Sequence, residues 1–179
     1  MVSLTIVFWM FVIVFAIIGA MRGWAKEILV TFSAIVAIFA VTIVENFAPG
    51  MVKALAKDGK ESLFWLRSAI VIGLVIFGYQ SVSIPRISAS PRLIRGSLQD
   101  TILGLIIGIL NGFLIMGTLW FYLHEAKYPL DFITAPAVDT EAGKAALKLL
   151  PYFAPSWLAT PAIYFATAIA FGFVIVLFL

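Results

Sequence analysis

Few side chains in this sequence could do chemistry, and most of them gather where apolar runs end. Met21-Arg22-Gly23-Trp24-Ala25-Lys26-Glu27 holds three charges in seven residues. Arg22 and Glu27 are spaced for a local ion pair, Gly23 supplies the backbone freedom of a tight reversal, and Glu27 suits the positive end of a following helix. A second basic stretch carries Arg86, Arg92 and Arg95 among serines and prolines. Arginine forks match phosphate, so this loop is a candidate contact for anionic lipid as well as a topological signal. His124 is the single imidazole and cysteine is absent. One histidine could hold one metal ion or one chlorophyll-type pigment, but neither a bis-histidine haem nor a multi-pigment array. Paired metal-protease histidines, a Gly-x-Ser-x-Gly elbow and a phosphate loop are all missing. The residues therefore predict a protein that is not an enzyme, with no cofactor and no metal site.

The elements that must position these groups follow from composition. With 63% hydrophobic residues, 12% charged residues and a mean hydropathy of +1.12, the chain lacks the polar residues to cover a water-facing surface. The expectation is an all-α polytopic integral membrane bundle forming a single transmembrane domain over 1–179. About five spans, near 3–21, 27–46, 63–82, 100–123 and 161–179, are joined by short interfacial helices. Continuous apolar runs without alternation favour helices over barrel strands. The first run has no basic segment before it, so it reads as a span rather than a cleaved signal. The net charge of +3 sits in loops beside the spans, which points to anionic lipid and not to nucleic acid.

From Leu4 to Val44 the chain is apolar apart from the seven-residue stretch. As one straight helix it would extend roughly 60 Å, twice the hydrocarbon thickness, so it must fold back as a hairpin with a loop over 21–27. Ser97-Leu98-Gln99-Asp100 has capping-box spacing before the fourth span, and Thr160-Pro161 suits the N-cap and first position of the fifth. Trp65, Trp120, Tyr122 and Trp157 fall near span ends, where amphipathic rings favour the interface. Met51 to Lys57 and Thr140 to Leu150 read as short amphipathic helices on the membrane, the first carrying Lys53 and Lys57, the second Lys144 and Lys148. Basic residues are densest in the first and third loops, which predicts an external N-terminus and a cytoplasmic C-terminus.

The fourth span places Gly104, Gly108 and Gly112 at four-residue steps on one stripe. Such a stripe lets another helix approach backbone to backbone, with Asn111 beside it as an interhelical hydrogen-bonding group. Its partner is read first as one of the chain's own helices and otherwise as a second copy of the chain or a partner protein. Coupled transport asks for ionisable groups deep in the spans, whereas Arg67 and Asp100 sit close enough to span ends to snorkel.

Taken together, Ile18-Gly19-Ala20-Met21-Arg22-Gly23-Trp24-Ala25-Lys26-Glu27-Ile28-Leu29, Gln99-Asp100-Thr101-Ile102-Leu103-Gly104 and Gly108-Ile109-Leu110-Asn111-Gly112 resemble the bacterial colicin V production protein family over about 3–123. The likeness is to that family's Arg-Gly-aromatic-x-x-Glu turn and its small-residue-rich late span. It implies a non-enzymatic inner-membrane protein with an accessory role in toxin production, export or envelope maintenance. On the same likeness Arg22, Gly23, Glu27, Asp100 and Gly104 are the positions to carry over. Members of that family usually have four spans, so the segment from Pro161 to Leu179 is a departure. The competing expectation is a structural subunit of a larger membrane complex, photosynthetic or respiratory, with other membrane proteins as partners.

Overall fold

The structure is a computed structural model and describes residues 3–57, 60–81, 98–131 and 133–178. Its elements are α1 (Leu4–Arg22), α2 (Trp24–Phe47), α3 (Pro49–Lys57), α4 (Lys60–Ser81), α5 (Leu98–Glu125), α6 (Glu141–Leu149), a 3-10 turn (Leu150–Tyr152), α7 (Ala154–Trp157) and α8 (Ala162–Phe178). The protein is all-α, and no strand occurs among the described residues. Four helices, α1, α2, α4 and α5, are long and apolar enough to cross a membrane. α8 has 17 residues and is the shorter apolar helix. At 1.5 Å per residue it covers about 25 Å, less than a typical hydrocarbon core.

α5 is the central element. In a membrane the helices gain nothing from leaving water, so close packing decides which of them pair. On α1, Val12, Phe15, Ala16 and Gly19 meet Gly112, Gly108 and Gly104 of α5 in antiparallel order. A Cβ at Gly108 would lie 3.1 Å from Ala16 Cα, one at Gly112 2.9 Å from Val12 Cα, and one at Gly104 would strike the Gly19 carbonyl. The stripe thus lies against the chain's own first helix. α2 runs parallel to α5 and antiparallel to α4, around a layer of Val30, Ala34, Ala37, Val71, Val75 and Ile115.

The reversal after α1 is tighter than a seven-residue loop. Met21 and Arg22 complete α1 while Trp24, Ala25, Lys26 and Glu27 open α2, so Gly23 alone turns the chain, at φ 86°. Its N–H donates to Gly19 O at 2.9 Å, and the freed Trp24 N–H donates to Asp100 Oδ1 at 3.1 Å. With an outside carboxylate meeting that amide, no longer loop is needed.

Other expectations shift for similar reasons. Trp120 and Tyr122 are buried rather than interfacial, because the 28-residue α5 keeps its last turns inside the bundle. Phe153, wholly buried, covers Trp120 with ring centroids 5.4 Å apart and also meets Phe8 and Phe113. Trp65 and Trp157 remain exposed. α8 starts at Ala162, so Thr160 and Pro161 occupy the turn before it. α3 and α6 occupy the two stretches read as short amphipathic helices. α6 is capped by the Thr140 hydroxyl, which accepts from Gly143 N–H at 3.0 Å. Ser97, Arg86, Arg92 and Arg95 lie outside the described residues, and with them the capping box and the arginine loop.

Candidate functional site

The most concentrated polar chemistry lies where α1 turns into α2, built from α1, α2, α4 and α5. Glu27, in the first turn of α2, is 0% exposed. Such a carboxylate at membrane depth requires charge and hydrogen-bond compensation. Arg22 Nε lies 3.3 Å from its Oε1, an ion pair outside hydrogen-bond geometry. Asn111 Nδ2 donates to Glu27 Oε2 at 2.9 Å and to the Glu27 backbone carbonyl at 2.9 Å. Thr31 Oγ1 donates to Asn111 Oδ1 at 2.6 Å, which orients the amide.

Arg22 also reaches α4. Its guanidinium lies 4.3 Å above the Tyr79 ring, and Nη2 donates to the Tyr79 carbonyl at 3.3 Å. That carbonyl belongs to the last turn of α4, where intrahelical donors have run out, so the arginine acts as its cap. Asp100, from the first turn of α5, receives the Trp24 amide and packs on Gly23, where a Cβ would lie 2.6 Å from Asp100 Oδ2. The result is a four-helix knot in which each charged group closes the end of a neighbouring helix or neutralises a buried partner. The Tyr79 hydroxyl is buried and faces the Glu27 carboxylate.

Arg22, Gly23, Glu27, Asp100 and Asn111, separated by as many as 89 positions in the chain, are thus brought to one place, while Gly104, Gly108 and Gly112 extend from it along α1. Tyr79 and Thr31 are the members that sequence reading missed. Thr31 is three residues before Ala34 on an apolar helix and carries no sequence signal of its own. Tyr79, beside Gln80 at a span end, reads as an ordinary interfacial aromatic.

A second polar cluster lies at the opposite end of the bundle. Arg67 pairs with Glu45 at 2.6 Å and Glu125 at 2.5 Å, with its guanidinium 5.1 Å from the Tyr122 ring. Rather than snorkelling alone, Arg67 joins α2, α4 and α5. The valine, alanine and isoleucine layer of the core separates the two clusters. His124 stands next to this second cluster, its Nδ1 3.2 Å from the Tyr128 hydroxyl. Among the described residues, no three His, Cys, Asp or Glu side chains group as a metal site would require.

Four membrane-length helices locked through interhelical charges define a polytopic helical membrane protein. The chain matches the family model of the colicin V production protein over residues 4–134, and it belongs to that family. The matched region takes in all four long helices and both polar clusters, and it stops before α6. No curated protein and no solved structure matches the chain.

Proposed function

We propose that this protein is a non-enzymatic accessory component of the bacterial inner membrane, serving toxin production or export, or envelope maintenance. The family match across the four long helices is the observation that carries this reading. The chemistry at the hairpin end supports it. Arg22, Glu27 and Asn111 are committed to one another and to helix ends, as in a scaffold, and none is presented to a substrate cleft. No cofactor or metal is assigned. The partners are membrane lipids, with anionic lipid at Arg86, Arg92 and Arg95, and other membrane proteins, with the hairpin end towards the cytoplasm.

Co-purification from native membranes in mild detergent tests this. Recovery with export or envelope components at a fixed ratio is expected, together with loss of toxin release or of envelope integrity on deletion. A deletion with neither phenotype would remove the reading. A second reading, a structural subunit of a photosynthetic or respiratory complex, draws on the apolar outer face of α1, where Ile6, Met10, Ile13 and Ile17 are exposed. Stoichiometric recovery with pigment or redox subunits would select it.

A further inference from the structure

α5 ends in an unusual turn. Ala126 N–H donates to Tyr122 O at 3.0 Å, Lys127 N–H to His124 O at 2.9 Å and Tyr128 N–H to Leu123 O at 3.0 Å, while Lys127 and Tyr128 take φ values of 62° and 57°. This wrap around a helix end ordinarily places glycine at the left-handed position. Here two bulky residues adopt it in succession, against the steric preference of L side chains. Backbone held this way is found where the side chains it places are used.

The Tyr128 side chain fixes a histidine. Tyr128 Oη lies 3.3 Å from Trp120 Nε1 and 3.2 Å from His124 Nδ1. An indole only donates, so the tyrosine oxygen accepts there and its own proton is free to be given to Nδ1, a direction set by the tautomer of the ring. Burial pushes the Tyr128 hydroxyl up from its ordinary pKa, which keeps that proton in place. In the tautomer that accepts this proton at Nδ1, the imidazole proton is on Nε2, an oriented N–H donor.

The other side chain, Lys127, is exposed and takes part in none of the ion pairs among the described residues. Lys127 and His124 share a cleft of about 540 Å³ with Arg67 and with an apolar wall of Ala56, Leu63 and Phe64. Glu125 also lines it, but Arg67 Nη1 holds that carboxylate at 2.5 Å. Ala56 belongs to α3, a helix that also carries the exposed Lys53 and Lys57. The cleft lies at the end of a membrane-length helix, the depth at which lipid head groups meet protein.

We propose that this cleft binds the phosphate of an anionic membrane phospholipid, with Lys127 Nζ and His124 Nε2 as donors and Ala56, Leu63 and Phe64 receiving the upper part of its acyl chains. A cation and an oriented N–H donor above an apolar wall match an amphiphile with a charged head. Tyr128 is a positioning residue, acting through His124.

The test uses the full chain in mild detergent, with native mass spectrometry against phosphatidylglycerol and phosphatidylcholine, and inorganic phosphate as competitor. Phosphatidylglycerol should be retained in preference to phosphatidylcholine, and inorganic phosphate should not displace it. Lys127→Gly and His124→Leu should each weaken retention about tenfold, the scale of one charge-assisted hydrogen bond. Lys127→Gly should melt no lower than the parent, because glycine relaxes the left-handed turn, and this separates lost binding from lost folding. Lys148→Ala, which removes an exposed lysine elsewhere, should leave retention unchanged. Undiminished retention in both cleft variants would overturn the proposal. So would an equal loss in Lys148→Ala, which would mark diffuse attraction, or displacement by inorganic phosphate, which would mark a free-anion site.

Discussion

Asn111 Nδ2 donates to both the backbone carbonyl and the Oε2 of Glu27, each at 2.9 Å, across 84 positions of sequence. One side chain of α5 therefore satisfies a buried carboxylate and a main-chain oxygen of α2. Asn111→Leu keeps the apolar bulk and removes both donors, so it should destabilise the protein by about 2 kcal/mol. Thermal unfolding in detergent measures this, and a double-mutant cycle with Glu27→Gln should return a coupling of roughly 1 kcal/mol. Additive effects of the two substitutions would mean that the contact carries no stability.

Gly23 is closed to substitution for two independent reasons, its left-handed φ and the Asp100 carboxylate against its α-carbon. Gly23→Ala should cost at least about 1–2 kcal/mol from the backbone alone. Pairing it with Asp100→Ala should recover only the steric part. A larger rescue would show that the conformation is not the constraint.

Arg22 separates a stacking role from a charge role. Arg22→Lys keeps the charge near Glu27 but loses the planar contact over Tyr79 and the donor to its carbonyl, and should cost about 1 kcal/mol. Tyr79→Leu should reproduce much of that loss, while Tyr79→Phe, which keeps the ring and removes only the hydroxyl facing Glu27, should cost less than Tyr79→Leu. If Tyr79→Phe is as harmful as Tyr79→Leu, the hydroxyl and not the ring holds the knot together.

Packing at the glycine stripe and at Phe153 makes a further pair. Gly108→Leu should detach α1 from α5, since even a Cβ there would meet the backbone of Phe15 and Ala16. The outcome should be loss of a folded monodisperse species in size-exclusion chromatography. Phe153→Ala should leave the four-helix core intact but cost about 3–5 kcal/mol. It should also open the segment after α5 to proteolysis, because Phe153 is the ring that fills the space between Phe8, Phe113 and Trp120. Resistance equal to the parent would show that α6 to α8 are held by other contacts.

Absence of native cysteine makes topology directly measurable. Lys26→Cys and Lys127→Cys lie at opposite ends of the bundle, so a membrane-impermeant maleimide should label only Lys127→Cys in intact cells and Lys26→Cys after permeabilisation. The reverse pattern would invert the proposed orientation.

Composition and periodicity determined that this chain forms apolar helices of membrane length, because continuous apolar runs without the alternation of a barrel satisfy their backbone groups internally only as helices. The four-residue glycine spacing likewise marked the face where α5 must be approached closely. The tip charges were legible as a turn signal, since charge and glycine interrupt an apolar run. Only the tertiary structure decided what those charges do. Arg22 reaches Tyr79 across 57 positions and Asp100 meets Trp24 across 76, and local spacing carries no information about partners so far away in the chain. The one-residue turn was hidden for the same reason, because a distant carboxylate replaces the loop residues that would otherwise have satisfied the amide. Trp120 and Tyr122 make the same point. An aromatic ring near a span end is indistinguishable in sequence from an interfacial one until a segment such as that bearing Phe153 covers it.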